Sequence, residues 1–437
     1  KALELFAKKL LTDSLGLGWL SVAGAAAAVW REGWQGYAVV VGSWVAVYLI
    51  VFHSLSNLPL DRPLFLGVHM RFWMQPYLVL FGFIAVGLQQ VMAALRVWRR
   101  EIAVPLVLGL VGFQIWTNFA AQDQSRNYHV YNFGKFLLQN KPNNSIIFTQ
   151  GDVVTNSIRF LQRCEKDRLD IAHLDLPMMT YEWFRTMHGP HFPGGIVFPG
   201  VQFSVGGRRL NEHRKCCPYS MRQMLDANAN DPNRHVYIVG GWYGSEIPNG
   251  NGIHGYHAEA IGAGQRVTSI NRVMSLKEFR KEVEGFRLPD TLPELSYDET
   301  TWEWQIHTNY VQYAQAYWVQ RLERALTRGK DAKGFIKDQK ELKRVIAGLE
   351  DTKNWSVRAM EGKEDQSMLE DLFRNLGIAY GRLKCPYPER FPQVPCEGQT
   401  KMREFFAEFL RRTSKPKEAT ATEKLVIDNP DKFVNLA

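Results

Sequence analysis

Beyond Ala120 the sequence has no apolar run long enough to cross a bilayer, so most of its 437 residues belong in water. Cysteine is scarce: Cys164, Cys216, Cys217, Cys385 and Cys396 include no CxxC pair and are too few for a dense disulfide scaffold. Cys385 and Cys396 flank "CPYPERFPQVPC" and are either bridged or two free thiols. No GxSxG elbow is present, and "VGGWYG" lacks both the GxGxxG spacing and the P-loop lysine. The net charge of +9 is scattered, without a zinc-finger, RNP or basic-helix signature, which excludes nucleic acid as a partner. "HGPH" (His188, His191) and "HGYH" (His254, His257) have ligand-like spacing but neither a helical frame nor a third ligand, so no metal is expected. No organic cofactor is implied either. "GGRRLNEHRKCC", residues 206–217, is a basic loop, either a solvated face or a site for an anion. The chain begins with Lys rather than Met, from which a processed or incomplete chain is expected.

What is present comes in two parts. Four apolar stretches precede Ala120, at residues 15–30, 37–55, 77–95 and 102–120, and each approaches the twenty or so residues that span a hydrocarbon core. Gln89, Gln90, Gln114 and Asn118 lie inside the last two, and Pro105 interrupts the fourth. In lipid such groups face protein or water, so a bundle with further neighbours is expected. The cluster Arg96, Arg99 and Arg100 shares a side with Arg31, which orients that side to the cytosol; the loop between the second and third spans, and everything after Ala120, then lie opposite.

The second part reads as a soluble α/β domain over residues 121–300. "NYHVYNFGKFLLQN" is an amphipathic helix, "SIIFTQGD" a buried strand, "VVTNSIRFLQRC" a helix, and "RLDIAHLDL" and "RHVYIVGGWYG" further strands. From Thr301 strand signals cease, and residues 301–437 read as an α-helical, repeat-like region. The expected fold is thus multi-domain: a transmembrane helical bundle of about four spans, an α/β domain and a helical C-terminal region.

Three places are candidates for function. "NLPLDRPLFLGVHMRFWMQP", Asn57 to Pro76, has the composition of more than a connector. Arg62 and Arg71 can hold a phosphate while Trp73, beside Gln75, covers a sugar or isoprenoid face; the alternative is that they anchor a helix end at the interface. Asp152 follows a strand in "TQGDVVTNS" and is either an acid on the ligand side of the sheet or part of a helix cap. Asn143 (NNS) and Asn354 (NWS) are acceptor sequons.

"SNLPLDRPLFLGVHMRFWMQ" also resembles the signature of a membrane family formerly known only as a domain of unknown function. Its animal members are protein O-mannosyltransferases that modify the IPT folds of plexins and MET-type receptors. The resemblance continues through "DQSRNYHVYNFGKFLL", "SIIFTQGDVVTNSIRFLQRCEKDRLDIAHLDLPMMTYEWF" and "HFPG", roughly Ser54 to Gly200. It implies a GT-C glycosyltransferase: many membrane helices, a polyprenyl-phosphate-linked mannose donor, a lumenal helical-repeat domain and a catalytic acid in the first lumenal loop. Met70 stands where that signature has an acid, and Pro76 where a small polar residue is usual; Arg71, Phe72, Trp73, Met74 and Gln75 are retained. The resemblance covers only the family's carboxyl-terminal half, so the expectation is a chain without the catalytic acid, with no catalytic residue of its own. Two roles follow. One is the carboxyl-terminal part of a split or truncated mannosyltransferase in the endoplasmic reticulum membrane; the other is an inactive accessory subunit joined to other membrane chains, in the mitochondrial inner or another organellar membrane.

Overall fold

The computed structural model describes residues 2–31, 33–52, 55, 58–94, 100–204, 218–229, 231, 234–240, 255–272, 274–284, 298–327, 338–360, 367–384 and 397–412. It divides into two compact units, Lys1–Asn127 with Tyr297–Gln305, and Tyr128–Ser296 with Ile306–Ala437.

The first unit is helical. Helix α1 (Ala2–Asp13) turns at Leu15 and Gly16, both at positive φ, into a short 3-10 turn and α2 (Leu20–Trp30), a bend of 114°. Helix α3 (Gln35–Val47) runs on through a π-helical turn, Tyr48–Phe52. After α4 (Pro63–Arg71) come α5 (Met74–Ala94) and α6 (Arg100–Gln122). Among the described residues two helices are long and apolar enough to cross a membrane, Gln35–Phe52 and Met74–Ala94, or three if the bent pair is one span; Val104–Ala120 is a shorter apolar helix. The chain is therefore a membrane protein, with two or three spans supported where four were expected. Lipid tails are as apolar as the helices, so α2 and α5 associate by close backbone approach rather than by hydrophobic burial. Gly24 lies against the Phe83 carbonyl and Gly87 against that of Leu20. Gln114, inside α6, donates through Nε2 to the carbonyl of Asp13 at 2.6 Å, and Asn118 donates to the Gln114 carbonyl.

The stretch from Asn57 to Pro76 was expected as a loop; its described residues, 58–76, are mostly helix. Pro63 occupies the first turn of α4, where its missing N–H costs nothing and its fixed φ starts the helix. A short turn at Phe72 and Trp73 then leads directly into α5.

The second unit holds the sheet. Helix α7 (His129–Leu138) buries Phe133, Phe136 and Leu137. Strand β1 (Ile146–Thr149), helix α8 (Asp152–Arg163) and strand β2 (Ala172–Asp175) form the expected β-α-β unit, paired in parallel from Ile146–Ala172 to Thr149–Asp175. The short helices α9 (Leu176–Met179) and α10 (Glu182–His188) follow, then strands β3 (Gln202–Phe203) and β4 (Pro218–Tyr219) and helix α11 (Met221–Asn228). The α11 cap is a capping box between Ser220 and Gln223. Strand β5 (Val236–Val239) lies parallel to β1 on its other side. Strands β6 (Tyr256–Ala260) and β7 (Gln265–Ser269) form an antiparallel hairpin that was not expected from the sequence, giving the order β2-β1-β5-β7-β6. Ile146, Phe148, Leu174, Val236 and Ile238 centre the core on one face of this sheet. Helix α12 (Leu276–Glu284) closes the α/β region; α13 (Trp302–Thr327), α14 (Gln339–Met360), α15 (Ser367–Gly381) and α16 (Glu397–Arg412) make up the helical remainder.

Candidate functional site

Helix α4 sets the geometry of the Asn57–Pro76 residues. Arg62 is the N-cap and Arg71 the last residue, so a helical rise of 1.5 Å per residue puts them about 13 Å apart, and nine steps of about 100° turn them to opposite faces. They do not converge. Both side chains are exposed, as is Gln75. Trp73 is 1% exposed, edge-on to Phe6 at 5.6 Å and to His69 at 5.8 Å. His69 is itself fully buried, and burial lowers its imidazole below the ordinary range. Arg71 lies over the Trp302 ring at 4.9 Å. Trp302 begins α13 inside the first unit, and the chain just before it crosses so close to α4 that any Cβ on Gly67 would strike the Thr300 carbonyl. A guanidinium stacked by its face keeps its N–H edges for an anion, so the exposed elements here are Arg71 and Gln75, carried on the buried Trp73–His69–Phe6 cluster.

Asp152 opens α8 and is exposed. The cap residue is Gly151 and no side chain bonds the first turn, so the capping alternative does not hold; the carboxylate acts on the helix only through its charge in that turn. The chain order places the switch point of the parallel strands between β1 and β5, where open sheets usually bind ligands. At its described edge this crevice is narrow: Gly240, at φ 89°, sits against Gln150, and a Cβ there would lie 2.2 Å from the Gln150 carbonyl. The remainder of "VGGWYG" lies outside the described residues.

Among the described residues the β2 edge of the same sheet carries no further strand. Beyond β2 lies a cavity of about 530 Å³. Its walls are the Arg159–Arg163 face of α8, His173 and Asp175 of β2, and Trp183, Phe184, His188 and His191 of α10 and the turn after it. Asp175, 7% exposed, receives Arg159 at 2.8 Å; Arg163 has no ion-pair partner among the described residues. Thr155 donates to the Thr149 hydroxyl at 3.0 Å, and Thr149 meets His173 Nε2 at 2.8 Å. The hydroxyl of Thr149 carries one proton and two lone pairs, so it pairs with Nε2 in either tautomer of the ring. Burial, reinforced by Arg159 and Arg163, pushes His173 down to about 3, so the ring is neutral at physiological pH. Burial and the same arginines lower His188. Trp183, 45% exposed, stacks on Tyr181 at 5.8 Å. Of these residues only His188 and His191 stood out in the sequence, as a metal pair. No group of three or more metal-capable side chains occurs among the described residues. The readable signal was Arg159 and Arg163 four apart on an amphipathic helix.

Asn143 is exposed in a turn and Asn354 is exposed on α14. Cys164 is an exposed thiol. Cys216, Cys217, Cys385, Cys396, His254 and the basic loop 206–217 lie outside the described residues.

These units together define an integral membrane protein carrying an α/β domain. Over 226 residues, 47% of its length, the chain is 32% identical to the protein O-mannosyl-transferase tmem260 of Dictyostelium discoideum, and over 165 residues, 37% of its length, 33% identical to the protein O-mannosyl-transferase TMEM260 of Mus musculus. The matches cover 26% and 23% of those proteins, so the chain spans about a quarter of the curated relatives it matches. The resemblance to the O-mannosyltransferase family is thus a partial match. No family model matches the chain, and no solved structure matches it.

Proposed function

We propose that this chain works within a GT-C type O-mannosyltransferase of the endoplasmic reticulum membrane, where it holds the phosphate of a lipid-linked mannose donor while a protein acceptor is modified. The observation that carries this reading is the exposed Arg71 guanidinium stacked on Trp302 beside exposed Gln75, at the start of a span-length helix. In this reading α6 is a further span and α4 faces the lumen. As the mannosyl–phosphate bond breaks, charge accumulates on the departing lipid phosphate, and a fixed guanidinium stabilises it; losing one such donor costs about 3 kcal/mol, or two to three powers of ten in rate. Trp73 supports Arg71 and Gln75 from below. Arg62, at the other end of α4, takes a second anionic group such as a lipid headgroup.

The test is mannose transfer in cells that depend on this protein. Arg71→Ala should abolish transfer with insertion intact, and Arg71→Lys should restore it only partly, because an ammonium lacks the bidentate fork. Unchanged transfer by Arg71→Ala would refute the proposal. A mitochondrial placement requires Asn143 and Asn354 both to be unglycosylated, so an N-glycan at either, read as a mass shift on glycosidase treatment, would establish the lumenal side. One observation favours a second reading, an accessory subunit of an organellar membrane assembly: Gln90 and Asn118 are exposed on apolar helices, where they require protein partners. Stoichiometric partners in native mass spectrometry, with transfer unaffected by loss of the chain, would establish that reading instead.

A further inference from the structure

We propose that the cavity beyond β2 is a binding site for a monosaccharide phosphate, with Arg163 taking the phosphate and the exposed indole of Trp183 taking the sugar ring. Its volume of about 530 Å³ suits one small ligand rather than a polypeptide or a bilayer. Asp175 neutralises Arg159 and fixes it in place, which leaves Arg163 as the cation with charge to spare. That charge selects an anion, and the planar fork suits phosphate. Of the cavity's aromatic rings, Phe184 is buried and Phe192 half-buried, whereas Trp183 is exposed, with Tyr181 stacked on it and the Phe184 and His188 rings inclined to it at 6.3 and 5.8 Å. A nucleobase is gripped between two flat walls, and here Trp183 is the one exposed indole on the cavity wall, which fits the C–H face of a sugar. His173, held through Nε2 by the Thr155–Thr149 chain, adds an uncharged imidazole to the wall, a group that pairs with hydroxyls.

This site lies wholly in the second unit and is independent of the Arg71 proposal, so binding and transfer can fail separately. The test is calorimetric titration of the full chain in detergent with mannose 1-phosphate, mannose, inorganic phosphate and uridine monophosphate. Mannose 1-phosphate should bind at least about tenfold more tightly than any of the others, a difference of about 1.4 kcal/mol. Arg163→Gln should weaken it about tenfold and Trp183→Ala several-fold, while Arg163→Lys retains part of the affinity. If a polyprenyl-phosphate mannose displaces mannose 1-phosphate, the headgroup of a lipid is the source of the ligand; if it does not, the source is a free sugar phosphate. Absence of binding in the millimolar range, equal or tighter binding of uridine monophosphate, or affinity unaffected by both variants would overturn the assignment.

Discussion

The contact of α2 with α5 makes a quantitative prediction about glycine. A Cβ built on Gly24 lies 1.8 Å from the Phe83 carbonyl oxygen and 2.7 Å from the Gly87 nitrogen; one on Gly87 lies 2.3 Å from the Leu20 carbonyl oxygen. Ordinary contact begins at 3.4 Å, and every clashing atom is backbone, so no side chain can swing aside. Gly24→Ala must therefore push the helices apart by about 1–1.5 Å, forfeiting dispersion along the whole crossing, and should destabilise this unit by about 1–3 kcal/mol. Gly82, on the same helix α5, has nothing within 4 Å of its Cβ position. Gly82→Ala removes backbone freedom from the unfolded chain without a clash and should stabilise by about 0.5–1 kcal/mol. Gly24→Ala and Gly87→Ala break the same crossing, so the double variant should lose less than the sum of the two. Unfolding by SDS titration in mixed micelles measures the four variants against the wild type. If Gly24→Ala unfolds at the wild-type midpoint, or Gly24→Ala and Gly82→Ala shift it in the same direction, the close-approach reasoning is wrong.

Two further predictions concern the second unit. Asn228, 1% exposed, accepts from the Val197 N–H at 3.0 Å and donates to the carbonyls of Val197 at 2.7 Å and Met224 at 2.9 Å; Asn228→Ala strands these groups and should cost about 3 kcal/mol in urea unfolding, with a loss below about 1 kcal/mol counting against it. Lys141 is buried over the Tyr237 ring, and desolvation, with help from Arg168, lowers its amine from 10.5 to about 7. The unfolded chain therefore binds the proton that the folded chain gives up, so this group makes stability rise between about pH 7 and 10.5; Lys141→Met should flatten that rise, and an unchanged pH slope would contradict the assignment.

The β-α-β unit was legible in the sequence because two local signals agreed there: an unbroken buried run, Ile146 to Thr149, and an α8 whose apolar residues recur on one face. The β6–β7 hairpin was not, since "YHAEA" and "QRVTS" are half-buried and largely polar, and the order β5-β7-β6 is fixed by pairing with β5 rather than by composition. Asn57 to Pro76 misled in another way. Its prolines and mixed charges suggest a loop, yet Pro63 sits where a proline starts a helix, and once the helix forms the two arginines must part. The edge cavity was invisible for a topological reason: Arg159 and Trp183 are brought to one place only because the chain crosses from β1 to β2 over α8 and returns through α10.

Gly240 and Gln150 also bear on how this sheet can change over generations. A side chain at 240 meets backbone in any rotamer, so this position at the mouth between β1 and β5 is closed to single substitution. Among the described residues no strand pairs beyond β2, and the exposed residues of α8 and α10 can be exchanged one at a time without moving the core. Inherited novelty on this scaffold is thereby directed to one flank, and homologues with different ligands should differ around positions 159–191 while their strand ends stay alike.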